Sequence, residues 1–163
     1  MKKHLLLFIL SLLGTSAFSQ QYKTAIGIKG DWSNLGYDMA QFSVKHFFNA
    51  PNAFEANFGA GRNFVHLEGL YLYNSPLRNN FDWFAGGGVD LGYFGQTNTG
   101  RIDTQQSNGF YSGISGVFGV EHTFDFIPIN VALDAGPTIR VVPNFQVGLK
   151  VGFAVRYAFG AQK

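Results

Sequence analysis

The sequence predicts an all-β fold: an eight-stranded antiparallel up-and-down transmembrane β-barrel after an N-terminal signal peptide. Three observations lead there. Bulky apolar residues alternate with small or polar ones at a period of two, over stretches of ten residues or more. That is the signature of a strand with two unlike faces, and it outruns the roughly five or six residues of a usual globular strand. Second, the alternating small positions are rich in Gly, Ala, Ser and Asn, in a chain with 21 Gly, 18 Phe and only 13% charged residues. Soluble domains carry about 25% charge. Third, Lys2, Lys3 and His4 precede the apolar run Leu5 to Leu13, and small residues follow to Ser19, which is the layout of a secretory signal peptide.

That apolar run is too short to cross a membrane as a helix, which takes ~20 residues. The expected division is residues 1–19 as signal peptide and 20–163 as barrel domain. The chain holds 12 Lys and Arg against 10 Asp and Glu. Lys2 and Lys3 leave with the signal, so the mature region is formally neutral. It has no basic run, and nucleic acid is not an expected partner. Cys is absent, which excludes a disulfide framework and a thiolate metal site. His46, His66 and His122 fall on separate strands and make a poor metal signature. Gly86-Gly87-Gly88 lacks the strand–loop–helix context of a phosphate loop. No cofactor is expected.

Eight strands are expected in order: 22–30, 38–48, 52–61, 63–73, 81–94, 109–124, 128–141 and 144–159. Gly-, Pro-, Asn- and Asp-bearing turns separate them: GDWSNLG, NAPN, GRN, NSPLRNN, GQTNTGRIDTQQSN, FDFIP and VVPN. In the second, Phe42, Val44 and Phe48 oppose Gln41, Ser43 and Lys45. In the third, Phe54, Ala56, Phe58 and Ala60 oppose Glu55, Asn57, Gly59 and Gly61. The fourth is less clean, with Val65, Leu67, Gly69 and Tyr71 against His66, Glu68, Leu70 and Leu72. The fifth sets Trp83, Val89, Leu91 and Tyr93 against Asp82, Phe84 and Asp90. The sixth sets Ile114, Phe118 and Val120 against Ser115, Gly119 and Glu121. The seventh sets Ile129, Val131 and Leu133 against Asn130, Ala132 and Asp134, with irregularity expected at Gly136 and Pro137. The last reads FQVGLKVGFAVRYAF, with Phe145, Val147, Leu149, Val151, Phe153, Val155, Tyr157 and Phe159 on one face.

Which face looks inward decides the class. A water-facing surface of Gly, Ala and Asn gains nothing, because glycine weakens a strand without packing against anything. The interior of an eight-stranded barrel is just wide enough for side chains to fill, so small residues there make room for a few large polar ones. Lys45, Glu55, His66, Glu68, Asp90, Glu121, Asp134, Lys150 and Arg156 are the expected interior polar network, since buried charges need partners. The bulky faces then meet lipid. With the N-terminus periplasmic, aromatic residues gather at two levels, as interfacial girdles would. The expected girdle comprises Phe48, Tyr71, Tyr73, Trp83, Tyr93, Phe124, Phe145, Tyr157 and Phe159. Phe47 belongs to the periplasmic level and Tyr111 to the outer one.

The chain resembles the small eight-stranded outer-membrane barrels of Gram-negative bacteria, the OmpX/OmpA-transmembrane type. The resemblance covers the whole mature region as a pattern of strands and turns. It is strongest at the C-terminus, where Lys150, Gly152, Val155, Tyr157 and Phe159 are similar to the family's assembly signal. The tail Gly160 to Lys163 departs from it, since many members end on the aromatic residue. The resemblance implies a bacterial outer-membrane location, outer-membrane lipid as surroundings and the barrel-assembly machinery as a transient partner. It also implies a non-enzymatic role in envelope structure, or contact with some surface ligand through the loops at Asp31–Tyr37 and Gly95–Asn108. Two alternatives stand beside it. A secreted soluble barrel would bind an apolar ligand inside. A lipid-modifying outer-membrane enzyme would draw on His66, Glu68, Ser115 and Asp90, though no short motif marks a nucleophile.

Overall fold

The computed structural model describes residues 22–35, 38–61, 64–78, 80–95 and 109–160. The segment expected to be a signal peptide, most of the Gly95–Asn108 connection and the last three residues lie outside the described residues. The strands are β1 (Thr24–Ser33), β2 (Met39–Asn49), β3 (Asn52–Gly61), β4 (Phe64–Arg78), β5 (Phe81–Phe94), β6 (Gly109–Thr123), β7 (Ile129–Val142) and β8 (Gln146–Phe159). Each pairs antiparallel with the next, and β1 pairs antiparallel with β8, so the sheet closes on itself. Closure removes the free edges that a β-sheet otherwise presents.

The register sets the shape. From Ala25 the pairing runs through Lys45, Glu55, Leu70, Gly88, Ser115 and Thr138, and so on to β8. One circuit returns to β1 about ten residues further along, which tilts the strands and narrows the bore so that side chains fill it. Both termini of the described barrel lie at one rim, here the terminal rim. Lys23 N donates to Phe159 O (3.1 Å) there. The far rim carries Ser33, Gly61, Phe94 and Val142.

Two expectations about the elements need correction. β1 does not stop at residue 30. Asp31, Trp32 and Ser33 continue the alternation, with Asp31 buried and Trp32 exposed, and pair with Gly152, Val151 and Lys150. The turn-forming composition of GDWSN hid this. β4 runs on to Arg78, through a bulge between Pro76, which pairs with Asp82, and Arg78, which pairs with Phe81. Here a proline sits where the ladder is already irregular, which is how a sheet tolerates one. The expected irregularity near Pro137 is present. The pairing lapses at the two positions between Ser115↔Thr138 and Phe118↔Ala135 without a change of register, and the register itself shifts nearer the far rim, between Ser112 and Gly113. A Cβ on Gly136 would run into the carbonyl oxygen of Gly116, so the backbones cross too closely for any side chain there.

Candidate functional site: the charged lumen and its apolar wall

Alternation sends one face of every strand inward, and the lumen holds the charges. Among the described residues, Lys29, Lys45, Lys150 and Arg156 are buried with seven carboxylates: Asp31, Glu55, Glu68, Asp82, Asp90, Glu121 and Asp134. The centre is built from five strands. Lys29 on β1 reaches Glu55 (3.2 Å) and Asp134 (3.1 Å), and Arg156 on β8 holds Glu55 through Nη2 at 2.9 Å. Arg156 Nε also donates to Ser43 Oγ at 2.9 Å. Toward the far rim Lys150 pairs with Glu68 and lies 3.8 Å from Asp31. Asn57 joins the two groups by donating to both Glu55 (3.0 Å) and Glu68 (2.9 Å). Toward the terminal rim Lys45 meets Glu121 at 2.8 Å and Asn74 at 2.7 Å. Such cations are tolerable in a low-dielectric interior because each of the four meets a carboxylate.

All nine residues expected inside are buried. Lys45, Glu55, Glu68, Glu121, Asp134, Lys150 and Arg156 are joined by the pairs above. Asp90 accepts from Ser115 (3.1 Å), and His66 meets the Tyr111 hydroxyl and stacks on its ring. The network also recruits Lys29, Asp31, Asn57, Asn74 and Tyr22, which were not among those expected. Lys29 and Asn57 carry the right parity for the inner face. Asp31 and Asn74 sit where composition suggested turns. Tyr22 precedes β1, and it fills the terminal mouth by donating to Glu121 Oε2 (3.0 Å) and packing edge-on against Phe47. Burial first, and then the Glu121 carboxylate, raise the Tyr22 phenol above its usual range, so it serves as a neutral donor.

Phe47 and Tyr111 correct the reading of the aromatic residues. Both are buried and point inward. Phe47 belongs to a buried apolar cluster with Tyr22, Leu70, Leu72 and Phe84. At the other end Asp31, Met39, His66, Glu68, Asp90, Ser115, Thr138 and Lys150 surround a cavity of about 10 Å³, room for roughly one water.

The outer face is the inverse of a soluble surface. Ile28 and Leu149 are 66% and 65% exposed, and Phe42, Leu67, Val89, Phe118 and Leu133 are likewise exposed. Near the terminal rim Phe48 lies against Tyr71 (6.0 Å between ring centres), Tyr73 against Trp83 (5.9 Å), and Tyr157 against Phe159 (4.7 Å). Phe124 packs edge-on against His122 (4.6 Å) at the same rim. Tyr93 and Phe145 stand exposed toward the far rim. A soluble barrel with an apolar ligand inside needs the opposite arrangement of faces.

The residues of the expected assembly signal divide between these surfaces. Lys150 and Gly152 point inward, while Tyr157 and Phe159 are exposed. Gly152 has a local reason to be glycine. A Cβ there would stand 2.6 Å from Asp134 Oδ1 and 2.7 Å from Asp31 Oδ1. Gly152→Ala is therefore expected to push both carboxylates off Lys29. The loss should be about 1–3 kcal/mol, as for overpacking a filled core, read from urea unfolding in detergent micelles.

A closed eight-stranded antiparallel barrel with its charges inside and its bulky apolar residues outside has the architecture of an outer-membrane barrel. Comparison with solved structures finds the same fold. The N-terminal β-barrel domain of Pseudomonas aeruginosa OprF superposes with a TM-score of 0.61 at 13% identity, covering 83% of this chain and 98% of that one. Neisserial surface protein A (NspA) aligns over 83% of this chain and 94% of its own, with 16% identity and a TM-score of 0.48. No protein-family model matches the sequence. No curated protein matches it either.

Proposed function

We propose that this chain is a non-enzymatic integral outer-membrane protein, exported through a signal peptide cleaved after residue 19. Its role is envelope-structural, or surface contact through the loops of the far rim. The observation that carries the reading is the inversion of faces. Four buried cations and seven buried carboxylates among the described residues lie inside a wall whose large apolar side chains are exposed. Only a solvent as apolar as lipid makes that wall favourable. Phe48, Tyr71, Tyr73, Trp83, Phe124, Tyr157 and Phe159 then serve as the periplasmic girdle, with Tyr93 and Phe145 in the outer one. Lys150, Gly152, Val155, Tyr157 and Phe159 are read by the barrel-assembly machinery. Absence of turnover is supported by the contacts of the candidate nucleophile: Ser115 donates to Asp90, while His66 is engaged with Tyr111.

Fractionation of expressing Gram-negative cells tests this. The protein is expected in the outer-membrane fraction, and its unboiled band is expected to migrate differently from the boiled one. Recovery as a soluble periplasmic protein would overturn the reading. A change in envelope lipid masses on expression would restore the enzyme alternative.

A further inference from the structure

Lys45, Asn74 and Glu121 meet in a way that charge neutralisation does not require. Lys45 Nζ lies 2.7 Å from Asn74 Oδ1 and 2.8 Å from Glu121 Oε1. The relative exposures of the three residues are 0%, 5% and 1%. The nitrogen sits against the rings of Phe47 and Phe84, 5.2 and 4.6 Å from their centres. Lys29 and Lys150 each approach more than one carboxylate. Lys45 instead pairs with one carboxylate and one side-chain amide, inside an aromatic enclosure.

We propose that Lys45 and Asn74 join in a self-catalysed isopeptide bond, with Glu121 as the proton carrier. An amine beside an amide, with a carboxylate in hydrogen-bond reach of that amine, is the minimum set for amide exchange. Contact with Oδ1 brings Nζ near the reacting-atom separation of about 3–3.5 Å that a near-attack geometry needs. The proton of Lys45 first passes to Glu121. This leaves a neutral amine and a neutral acid, which suit an enclosure of Phe47 and Phe84. The amine lone pair then forms a bond to Asn74 Cγ, and the carbonyl π electrons move onto Oδ1. As they return, the Cγ–Nδ2 bond breaks. Glu121 gives its proton to the departing nitrogen and takes the surplus proton from Nζ. The products are a secondary amide and ammonia. The ammonia accepts the proton that Glu121 now holds and leaves as ammonium, so Glu121 ends ionised, as it began. No oxidant or co-reactant is involved. Nδ2 faces the β2–β3 turn, where it donates to Pro51 O (3.3 Å), so the leaving group departs toward the rim. The bond forms once per chain and ties β2 to β4 across the strand between them.

Peptide mass spectrometry of the full protein, purified folded from membranes, tests this. The expected result is one branched peptide joining the segments of Lys45 and Asn74, lighter than the two together by one ammonia. Glu121→Gln is expected to yield the two segments separately at unmodified mass. Because that variant also weakens the lumen, wild-type protein refolded into detergent from the denatured, unlinked state gives an independent time course. Its bond should appear only after the folded band does. Folded wild type whose Lys45 and Asn74 segments stay separate overturns the proposal, whether Asn74 is intact or deamidated. A bond that forms equally fast in the Glu121→Gln variant overturns the role of Glu121.

Discussion

Glu55→Gln is expected to destabilise the folded barrel by about 3–5 kcal/mol, the usual cost of breaking a buried ion pair by removing one partner. Glu55 is where the central network converges. Its Oε1 takes Lys29 at 3.2 Å, Arg156 at 2.9 Å and Asn57 at 3.0 Å. The amide keeps the shape and the acceptor oxygen but removes the charge that both cations face. Lys29 retains Asp134, whereas Arg156 is left with the Ser43 hydroxyl and, among the described residues, no carboxylate in contact. The deficit therefore falls mainly on Arg156. Urea unfolding in micelles, followed by loss of the folded gel band, measures it. Arg156→Met on top of Glu55→Gln is expected to recover part of the loss, because an apolar side chain replaces an unmatched charge. An unfolding midpoint unchanged in Glu55→Gln would show that the network contributes nothing net.

Phe118→Arg is expected to cost about 2–4 kcal/mol, and Phe81→Arg no more than about 1 kcal/mol, following the depth dependence of a charge on a lipid-facing wall. Both phenylalanines are exposed, at 61% and 47%. Phe118 lies midway along β6, and Phe81 opens β5 at the terminal rim. On a water-facing surface the two substitutions would be near neutral and alike. The contrast between them, measured by reversible unfolding into lipid vesicles, separates the environments without reference to location in a cell. Equal and small effects would remove the membrane reading.

Most of the fold was legible because parity is a local property. Once Gly148, Lys150, Gly152 and Arg156 fall on one face and Leu149, Val151 and Phe153 on the other, a strand with a crowded inner side follows. The errors share one cause, which is trusting residue type over parity. Phe47 and Tyr111 look interfacial as aromatics, yet they stand in phase with Lys45 and Ser115 and point inward. Asp31 and Asn74 look like turn residues, yet each continues its strand's alternation. Partner choice was not legible at all. Lys29 finds Glu55 and Asp134, and Lys45 finds Asn74 and Glu121, only because the tilt of a closed sheet brings residues from non-adjacent strands together across the bore.

The seam between β1 and β8 is an ordinary strand pair. Its register runs unbroken from Thr24↔Phe159 to Ser33↔Lys150. The first and last strands of the described barrel thus meet where one more hairpin turn, of the same kind as the β2–β3 turn, would lie. A short linker from Phe159 to Lys23, with new ends opened at Ala50, yields a circular permutant with the same sheet. In that molecule β8 is no longer last, so the sequence Lys150 to Phe159 keeps its place in the barrel and loses its place in the chain. Assembly in cells and refolding in detergent would then report on two different properties of the same segment.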